Sequence, residues 1–199
     1  GSSPAHTKWQ STGKVLEGVE MKIHNPDPQT GEGEIWVKGD NVMKGYYKNP
    51  DSTREVLTEE GWFKTGDLAR IDENGFVFIR GRIKNVILGT NGENIYPEEI
   101  ESVLNRIEGV EESLVIQKHG RLVAMVQLNI QELEDKLIKL NERAIQVTHD
   151  TVDDLLIEIQ TFVNQRVNRF SRLQMVVLHT SPFEKTPTNK IKRYLYIID

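Results

Sequence analysis

The stretch RGRIKNVILGTNGENIYPEE, residues 80–99, divides the sequence into two parts of different character. Three cations occupy its first five positions, a mostly apolar run follows, and Gly89-Thr90-Asn91-Gly92 then forms a flexible turn. Pro97 and paired glutamates come next, where a helix is expected to begin. Any account of the chain has to explain why clustered positive charge lies beside a glycine turn at the start of a helix.

Upstream of this stretch, the sequence is typical of short strands joined by turns. GVEMKIHN alternates apolar and polar residues, EIWVKG predicts a second strand, and GWFKTGDLARIDENGFVFIRG predicts a hairpin that turns at residues 72–75. NPDSTREVLTEEG predicts one short helix, capped by Asp51 or Ser52 and ended by Gly61. We therefore expect a small, mostly β subdomain over residues 13–80.

Downstream, the sequence mixes helices and strands. Pro97 and apolar residues at helical spacing predict a helix closed by Gly109, and ESLVIQKHGRLVAMVQLN predicts two strands about a His119-Gly120 turn. Residues 131–169 carry helical periodicity twice, LQMVVLH predicts a last strand, and IKRYLYIID predicts a short terminal helix. The predicted fold class is α+β, with a compact α+β domain over residues 81–199. Residues 1–12 are expected to be a tag remnant or disordered.

Composition excludes several classes of function. The chain has 25 Lys and Arg against 30 Asp and Glu, a formal charge of −5 spread along its length, which argues against a nucleic-acid partner. It has no cysteine, which excludes disulfides, thiolate metal sites and a cysteine nucleophile, and we expect no metal ligands in it. No apolar run approaches the length of a membrane helix. We expect a cytoplasmic location, with a peripheral position on the inner face of the membrane as an alternative.

Three polar side chains near the middle of the chain could bind a nucleotide. Thr65-Gly66-Asp67 falls between two predicted strands, and the two acceptor oxygens of Asp67 match the adjacent hydroxyl donors of a ribose. An ordinary turn aspartate is the commoner explanation of such a residue. Arg82 and Lys84 are two residues apart, so in an extended segment they would share a face toward phosphate or ribose oxygens. Solvated surface charge explains most such pairs.

Two further features could serve a mobile or catalytic site. The turn at residues 89–92 suits a backbone that is approached closely or that flips, although a simple loop is the commoner explanation. Near the C-terminus, FEKTPTNKIKRYLY places four cations on a proline-containing loop, namely Lys185, Lys190, Lys192 and Arg193. Taken alone, a basic segment of this kind is most often a solvated face.

The order and spacing of these features resemble one superfamily. YYKNPDSTREVLTEEGWFKTGDLARIDENGFVFIRGRIKNVILGTNGENIYPEEIE, residues 46–101, resembles the signature block of the adenylate-forming, AMP-producing acyl-CoA synthetases. That superfamily also holds peptide-synthetase adenylation domains and firefly luciferase. SPFEKTPTNKIKR, residues 181–193, resembles its last motif. The resemblance covers about residues 13–194.

The resemblance implies roles for the residues on either side of the predicted domain boundary. Asp67 would bind the ribose hydroxyls of ATP or AMP, and Arg82 would contact the same nucleotide. Lys84 matches the hinge about which the superfamily's C-terminal domain, a mobile lid, swings between two poses.

The resemblance also implies roles for residues of the lid itself. Gly89, Asn91 and Gly92 match the loop that the second pose brings beside the pantetheine of coenzyme A. Lys190 matches the lysine used in the first pose, where its ammonium would bridge the carboxylate and the α-phosphate as negative charge builds. The positive charge would hold the nucleotide. The hinge and the glycine turn would let the lid serve both half-reactions, adenylate formation and transfer to coenzyme A.

Two departures from the superfamily pattern refine this interpretation. Asn189 stands where many relatives have glycine, and together with NGENIYPEEIE it favours the long-chain fatty acid branch. The upstream phosphate loop, the aromatic-Gly-x-Thr-Glu motif and the acyl pocket have no counterpart here. The resemblance therefore implies the C-terminal part of a long-chain fatty acid–CoA ligase that uses fatty acid, ATP and coenzyme A. Its Mg²⁺ and acyl sites would lie in a missing N-terminal domain, and the fragment alone would be nearly inactive.

Two alternatives stay open. Another adenylate-forming enzyme, such as an acyl-carrier-protein ligase or an amino acid adenylation domain, would differ in residues that this chain lacks. A non-catalytic nucleotide-binding or protein-binding module is the alternative from another class. The joint presence of Asp67, Arg82 and Lys190 argues against that module, because a scaffold has no need of a catalytic lysine.

Overall fold

The structure, a computed structural model, is described over residues 8–90, 92–129 and 149–197. The chain divides into two compact units, Gly1–Asn85 and Val86–Asp199, called here the N-terminal and C-terminal units. This division comes later than the predicted domain boundary after Arg80. The last strand of the N-terminal unit continues to Arg82, and a 3₁₀ turn at Ile83–Asn85 contacts the neighbouring strand.

The N-terminal unit is built on a five-stranded antiparallel sheet. Its strands are β1 (Gly13–Lys14), β2 (Val19–His24), β3 (Gly33–Gly39), β4 (Phe63–Ile71) and β5 (Phe76–Arg82), in the spatial order β1-β5-β4-β3-β2. Alternate residues of these strands form one apolar face, with Ile35, Ala69 and Val77 buried and Met21, Ile23, Val37 and Ile71 packed against them. The predicted strands and the predicted hairpin at residues 72–75 are confirmed.

The helix of this unit, α1 (Pro50–Val56), begins and ends earlier than predicted. Asn49 is its cap, since the Asn49 side chain accepts the Ser52 N–H at 3.1 Å. Proline favours the first helical position, which makes the residue before Pro50 the cap instead of Asp51 or Ser52. Gly61 belongs to a separate turn, where its N–H donates to the Thr58 carbonyl at 3.0 Å.

Residues 8–12 are part of the fold, so the expected tag remnant or disorder is wrong for them. The Thr12 N–H donates to the Val77 carbonyl at 2.9 Å, and Lys8 Nζ lies 2.6 Å from Asp72 Oδ2 in the β4–β5 turn. The remainder of that expectation, residues 1–7, lies outside the described residues.

Over its described residues, the C-terminal unit combines a small hairpin, two helices and a three-stranded sheet. In chain order its elements are β6 (Ile87–Leu88), β7 (Asn94–Ile95), α2 (Pro97–Leu104), β8 (Val110–Lys118), β9 (Arg121–Leu128), α3 (His149–Asn164) and β10 (Met175–Leu178). The sheet has the order β10-β9-β8, with β9 antiparallel to β8 and parallel to β10. The predicted α+β fold class is confirmed.

Both faces of this sheet are covered, which explains the unbroken apolar runs at residues 114–116 of β8 and residues 122–126 of β9. On one face, side chains such as Val115 and Ala124 pack with Ile100 of α2 and Val163 of α3. On the other face, Leu114, Ile116 and Val123 pack with Phe183 of the C-terminal segment, and Ile191 and Tyr196 lie against them. The segment after β10 is therefore part of the core.

Two of the predicted helix ends in this unit are wrong. Helix α2 ends at Leu104 instead of near Gly109, because Arg106 and Ile107 form i to i+3 bonds to Val103 and Leu104. IKRYLYIID forms only a 3₁₀ turn at Arg193–Leu195, and its last two residues are not described. Of the two predicted helices over residues 131–169, the second is α3, and most of the first lies outside the described residues. Among the described helices, none has the length and apolar character needed to cross a membrane.

Candidate functional site

The segment Thr65–Gly66–Asp67 lies inside strand β4, as a bulge, and not in a loop between strands as predicted. Three residues of β4 face Ile35 alone in β3, and this wide bulge is called here the Asp67 bulge. Thr65 Oγ1 donates to the Ile35 carbonyl at 2.8 Å, and the Gly66 N–H donates to Glu34 Oε1 at 3.0 Å. Residues of β3 thus supply hydrogen-bond partners to the bulge, including one for the Gly66 N–H, which the bulge leaves without a backbone partner in β3.

The bulge pairs Asp67 with Arg82. These residues are register partners on β4 and β5, and Arg82 Nε lies 2.8 Å from Asp67 Oδ1. Arg82 also donates from Nη1 to the Thr65 carbonyl at 3.1 Å. The side chains of Asp67 and Arg82 are 29% and 52% exposed, so a ligand can reach both. A carboxylate and a guanidinium held side by side offer acceptors and donors to the hydroxyl groups of a sugar.

Lys84 does not share an extended face with Arg82. Strand β5 ends at Arg82, and Lys84 lies in the 3₁₀ turn Ile83–Asn85 with its side chain exposed. A 3₁₀ turn has three residues per revolution, so the alternation assumed from the sequence does not apply to it.

The predicted glycine turn joins β6 to β7. The Gly89 N–H donates to the Glu93 carbonyl at 2.8 Å, and the Gly92 N–H donates to the Gly89 carbonyl at 3.0 Å. Gly92 has a φ of 83°, and a Cβ on Gly89 would lie 2.3 Å from Glu93 Oε1. Backbone conformation favours glycine at residue 92, and a side chain at residue 89 would have to displace the Glu93 carboxylate. Asn91, the third predicted residue of this loop, lies outside the described residues.

A cavity of about 270 Å³ adjoins this turn. It is lined by Gly89, Thr90, Glu93, Ile95, Gln117, Gly120, Arg121, Leu122, Phe170 and Gln174. Glu93 Oε2 is buried and has no hydrogen-bond partner among the described residues. The cavity therefore combines polar groups with an apolar wall directly beside the predicted loop.

Lys190 lies on a tight hairpin. Residues 185–191, called here the Lys190 hairpin, are closed by an antiparallel bridge between Lys185 and Ile191. The Thr186 N–H donates to the Lys190 carbonyl at 2.8 Å, and the Lys190 N–H donates to Thr186 Oγ1 at 3.2 Å. Asn189 has a φ of 60°, a conformation that glycine adopts freely and asparagine tolerates. This explains why asparagine can stand immediately before the lysine.

The four cations of this region are not one solvated face, as the sequence alone suggested. Lys190 is exposed, and no described carboxylate forms an ion pair with it. Lys185 Nζ lies 2.6 Å from Glu112 Oε1, and the Arg193 side chain, only 17% exposed, donates to Glu101. Among the described residues, Lys190 has no ion-pair partner, whereas Lys185 and Arg193 form ion pairs that hold the C-terminal segment in place.

Glu101 is a functional candidate that the sequence interpretation missed. Burial raises the pKa of its carboxyl above the ordinary value near 4.5, against the opposing effects of Arg193 and of the hydrogen bond from the Val115 N–H. A signal existed in the sequence, since Glu101 occupies the same buried stripe of α2 as Pro97, Ile100 and Leu104. Glu34 gave no local signal, because strand pairing alone brings it to the Asp67 bulge.

The predicted site residues therefore form three groups. Asp67 and Arg82 are paired in the N-terminal unit, with Lys84 in the turn that follows. Gly89 and Gly92 lie on the β6–β7 hairpin, and Lys190 lies on a separate hairpin of the C-terminal unit. Within the described part of the chain, no group of three or more acidic or histidine side chains could hold a metal ion.

Comparison with known proteins finds similarity to one family. The family model described as AMP-binding enzyme matches residues 2–47, which include residues set aside as a possible tag. The chain is 41% identical over 109 residues to 2-succinylbenzoate–CoA ligase of Staphylococcus epidermidis, and 36% identical over 132 residues to a long-chain-fatty-acid–CoA ligase of Mycobacterium tuberculosis. It is 31% identical over 212 aligned residues to a long-chain-fatty-acid–[acyl-carrier-protein] ligase of Arabidopsis thaliana.

A solved structure agrees with these relatives. O-succinylbenzoate coenzyme A synthetase of Bacillus subtilis, in complex with AMP, matches 96% of this chain with a TM-score of 0.70 and 28% identity. Over nearly its whole length, the chain is similar to the AMP-binding, adenylate-forming enzyme family. It matches the C-terminal part of acyl-CoA ligases of that family.

The matches cover only part of each relative. They include 55%, 63% and 94% of this chain but 22%, 26% and 27% of the staphylococcal, mycobacterial and plant ligases, in that order. Of the solved synthetase, 36% is covered. Because the names of these relatives carry different acids and acceptors, the similarity leaves the substrate open.

Proposed function

We propose that this chain is the C-terminal part of an AMP-forming acyl-CoA ligase, to which it contributes a ribose-binding pair and the catalytic lysine. The observation that carries the proposal is the ion pair of Asp67 and Arg82, fixed by a bulge and still open to solvent. The larger enzyme, called here the full-length enzyme, would join an acid to the AMP part of ATP as an acyl-adenylate, with release of pyrophosphate. It would then transfer the acyl group to the thiol of coenzyme A, with release of AMP.

Asp67 and Arg82 suit the nucleotide because their positions are set before it binds. The ladder holds Arg82, and Arg82 orients the Asp67 carboxylate, so little side-chain freedom is lost when two ribose hydroxyls donate to it. Arg82 can then contact ribose or phosphate oxygens from the adjacent side.

Lys190 would act electrostatically in adenylate formation. When the acid carboxylate attacks the α-phosphate, negative charge builds on the oxygens between them, and a nearby ammonium stabilises that charge. The exposed ammonium has no described ion-pair partner to give up before it can do so. Lysine suits the role because its charge is compact.

The second half-reaction would use the other end of the C-terminal unit. Lys84 lies in the turn immediately before the division between the units, and this position supports its role as the hinge. The Gly89–Gly92 turn would then approach the pantetheine of coenzyme A, since both glycines present bare backbone. The acid and the two half-reactions remain part of the proposal.

We propose a long-chain fatty acid as the acid. The support is the pattern Thr-Pro-Thr-Asn-Lys with NGENIYPEEIE, together with the similarity to a mycobacterial ligase whose name carries that substrate. The plant relative, named for transfer to an acyl carrier protein, makes a carrier-protein acceptor the second candidate. The described part of the chain offers no metal-ligand cluster, so we assign no step to Mg²⁺.

The test is release of AMP and pyrophosphate with Mg-ATP, palmitate and coenzyme A. We expect turnover by the full-length enzyme and almost none by the 199-residue chain alone, because one lysine cannot position both reactants. Lys190→Ala should lower the rate of adenylate formation by about 10²- to 10³-fold. Lys118→Ala, at an exposed cation ending β8, is the matched control and should keep the parental rate.

The outcomes separate the parts of the proposal. Turnover with succinylbenzoate and none with palmitate would support the acyl-CoA ligase activity and contradict the long-chain fatty acid as its substrate. Transfer to a carrier protein in place of coenzyme A would favour the second candidate. Full activity of Lys190→Ala would overturn the catalytic role of that lysine.

A further inference from the structure

Three residues beyond Lys190, the chain is fastened to the core by a buried ion pair. Arg193 donates to Glu101, whose side chain is 11% exposed, and the pair joins the C-terminal segment to helix α2. A buried ion pair loses much of its attraction to desolvation, so it adds little net stability compared with apolar packing. Its presence therefore suggests a role other than stability.

The pair completes the hydrogen bonds of an edge strand. Strand β8 is at the edge of its sheet, so alternate N–H and C=O groups have no strand partner. At Val115 the N–H donates to Glu101 Oε1 at 2.7 Å, and the carbonyl accepts from Arg193 Nη1 at 3.2 Å. Helix α2, strand β8 and the C-terminal turn therefore meet in one closed network around the Val115 backbone.

This network lies at the base of the Lys190 hairpin. Lys192, the residue before Arg193, donates from its N–H to the Glu184 carbonyl at 2.8 Å, which closes the base of the hairpin. On the other side, Lys185 is paired with Glu112, which is also on β8. The direction in which the hairpin leaves the sheet is thus set from both sides by contacts with one strand.

We propose that Glu101 and Arg193 are positioning residues for Lys190, fixing the hairpin so that its ammonium meets the reacting carboxylate and phosphate. The inference rests on the proposed function, since it assigns the network a role in adenylate formation. The planar guanidinium contacts a carboxylate and a carbonyl together, and a lysine at residue 193 would retain the charge without that fork.

The experiment compares the two half-reactions in the full-length enzyme. Arg193→Met should slow adenylate formation, measured as ATP–pyrophosphate exchange, by about tenfold to a hundredfold, because small displacements of a catalytic group have effects of that size. Acyl transfer from supplied acyl-adenylate to coenzyme A should change less than about threefold, because Lys190 is not assigned to that step. Arg193→Lys should recover part of the lost rate, and Arg172→Met is the matched control at an exposed arginine.

A readout without catalysis separates this inference from the proposed function. In the 199-residue chain, Arg193→Lys should lower hydrogen-exchange protection of the Thr186, Lys190 and Lys192 amides while β8 and β9 keep theirs. Equal loss in both half-reactions, or unchanged exchange at these amides, would overturn the positioning role. If the wild-type enzyme forms no adenylate, the proposed function fails, and the exchange result still decides whether the pair fixes the hairpin.

Discussion

The Asp67 bulge and the Lys190 hairpin present charged groups in opposite ways. At the bulge, hydrogen bonds from β3 and β5 fix the backbone, and Asp67 is already paired with Arg82. In the hairpin, the bonds around Lys190 connect residues no more than four apart, and the ammonium is exposed. The first arrangement suits recognition of a ligand, and the second suits delivery of a charge.

The difference shows which parts of the fold set the positions of the Asp67 carboxylate and the Lys190 ammonium. Asp67 takes its position from a sheet, so its geometry depends on strand register across the N-terminal unit. Lys190 takes its position from a short local loop whose base is fastened by Arg193 and Lys185. Because Lys190 has no described ion-pair partner, no ion pair has to break before it contacts a substrate. Its position is then set by the hairpin backbone and by the residues that fasten the hairpin to the sheet.

After that of Lys190→Ala, the largest effect should follow from removing the binding carboxylate of Asp67. In the full-length enzyme, Asp67→Ala should raise the KM for ATP by about 10- to 100-fold, because hydrogen bonds to a charged group contribute about 1.5–3 kcal/mol. The effect on kcat should be smaller, since the ribose is bound in both ground and transition states. Steady-state pyrophosphate release at varied ATP gives both constants.

Asp72→Asn is the control for that measurement, because Asp72 lies on the same hairpin and pairs with Lys8 instead. It should leave the KM for ATP within about twofold, the change expected where no ligand contact is lost. A fall in kcat with unchanged KM for Asp67→Ala would contradict the proposal that Asp67 binds the nucleotide while Lys190 acts in catalysis.

A smaller effect should separate the two left-handed residues. Gly66 and Asn189 have φ values of 72° and 60°. Gly66→Ala should lower the free energy of unfolding of the chain by about 1–2 kcal/mol, the cost of a side chain in that conformation. Asn189→Ala should lower it by about 1 kcal/mol or less, because asparagine already carries a side chain there. Urea denaturation measures both changes, and equal losses would mean that the sheet holds its bulge no more tightly than the hairpin holds its turn.

The smallest effect should be an opposite pH dependence in the two units. The hydrogen bond from Lys8 lowers the pKa of Asp72, so the stabilisation from ionised Asp72 is present above its ordinary value near 3.8 and lost as pH falls. Burial raises the pKa of Glu101, whose near charges are Arg193 and Glu98, so its contribution is present below about 4.5 and lost as pH rises.

The opposite pH dependence is tested by measuring the free energy of unfolding across the acid range for wild type, Asp72→Asn and Glu101→Gln. The stability advantage of wild type over Asp72→Asn should shrink as pH falls, and its advantage over Glu101→Gln should shrink as pH rises. Slopes of the same sign would contradict the assigned pKa direction of one of the two carboxyls.

The sequence by itself determined the local elements and the order of the motifs. Period-two patterns predicted strands of the N-terminal unit, and apolar runs on either side of a His119-Gly120 turn predicted β8 and β9. The apolar spacing after Pro97 predicted helix α2, because burial of one face leaves a repeat in the sequence. Asp67 and Arg82 were proposed from their chemistry, and Lys190 was proposed from the resemblance to the adenylate-forming superfamily. The cap of α1 was within reach as well, since a proline at the first helical position points to Asn49.

Only the tertiary structure decided how these groups are held. Strand register made a bulge of residues 65–67 and brought Glu34 to Gly66, and the closed core brought Arg193 to Glu101 across 92 positions of sequence. No local pattern encodes such a pairing, because its energy depends on burial and on partners that the rest of the fold delivers. The sequence therefore specified which charges the protein carries, and the packing decided which of them are fixed, which are shared and which stay free.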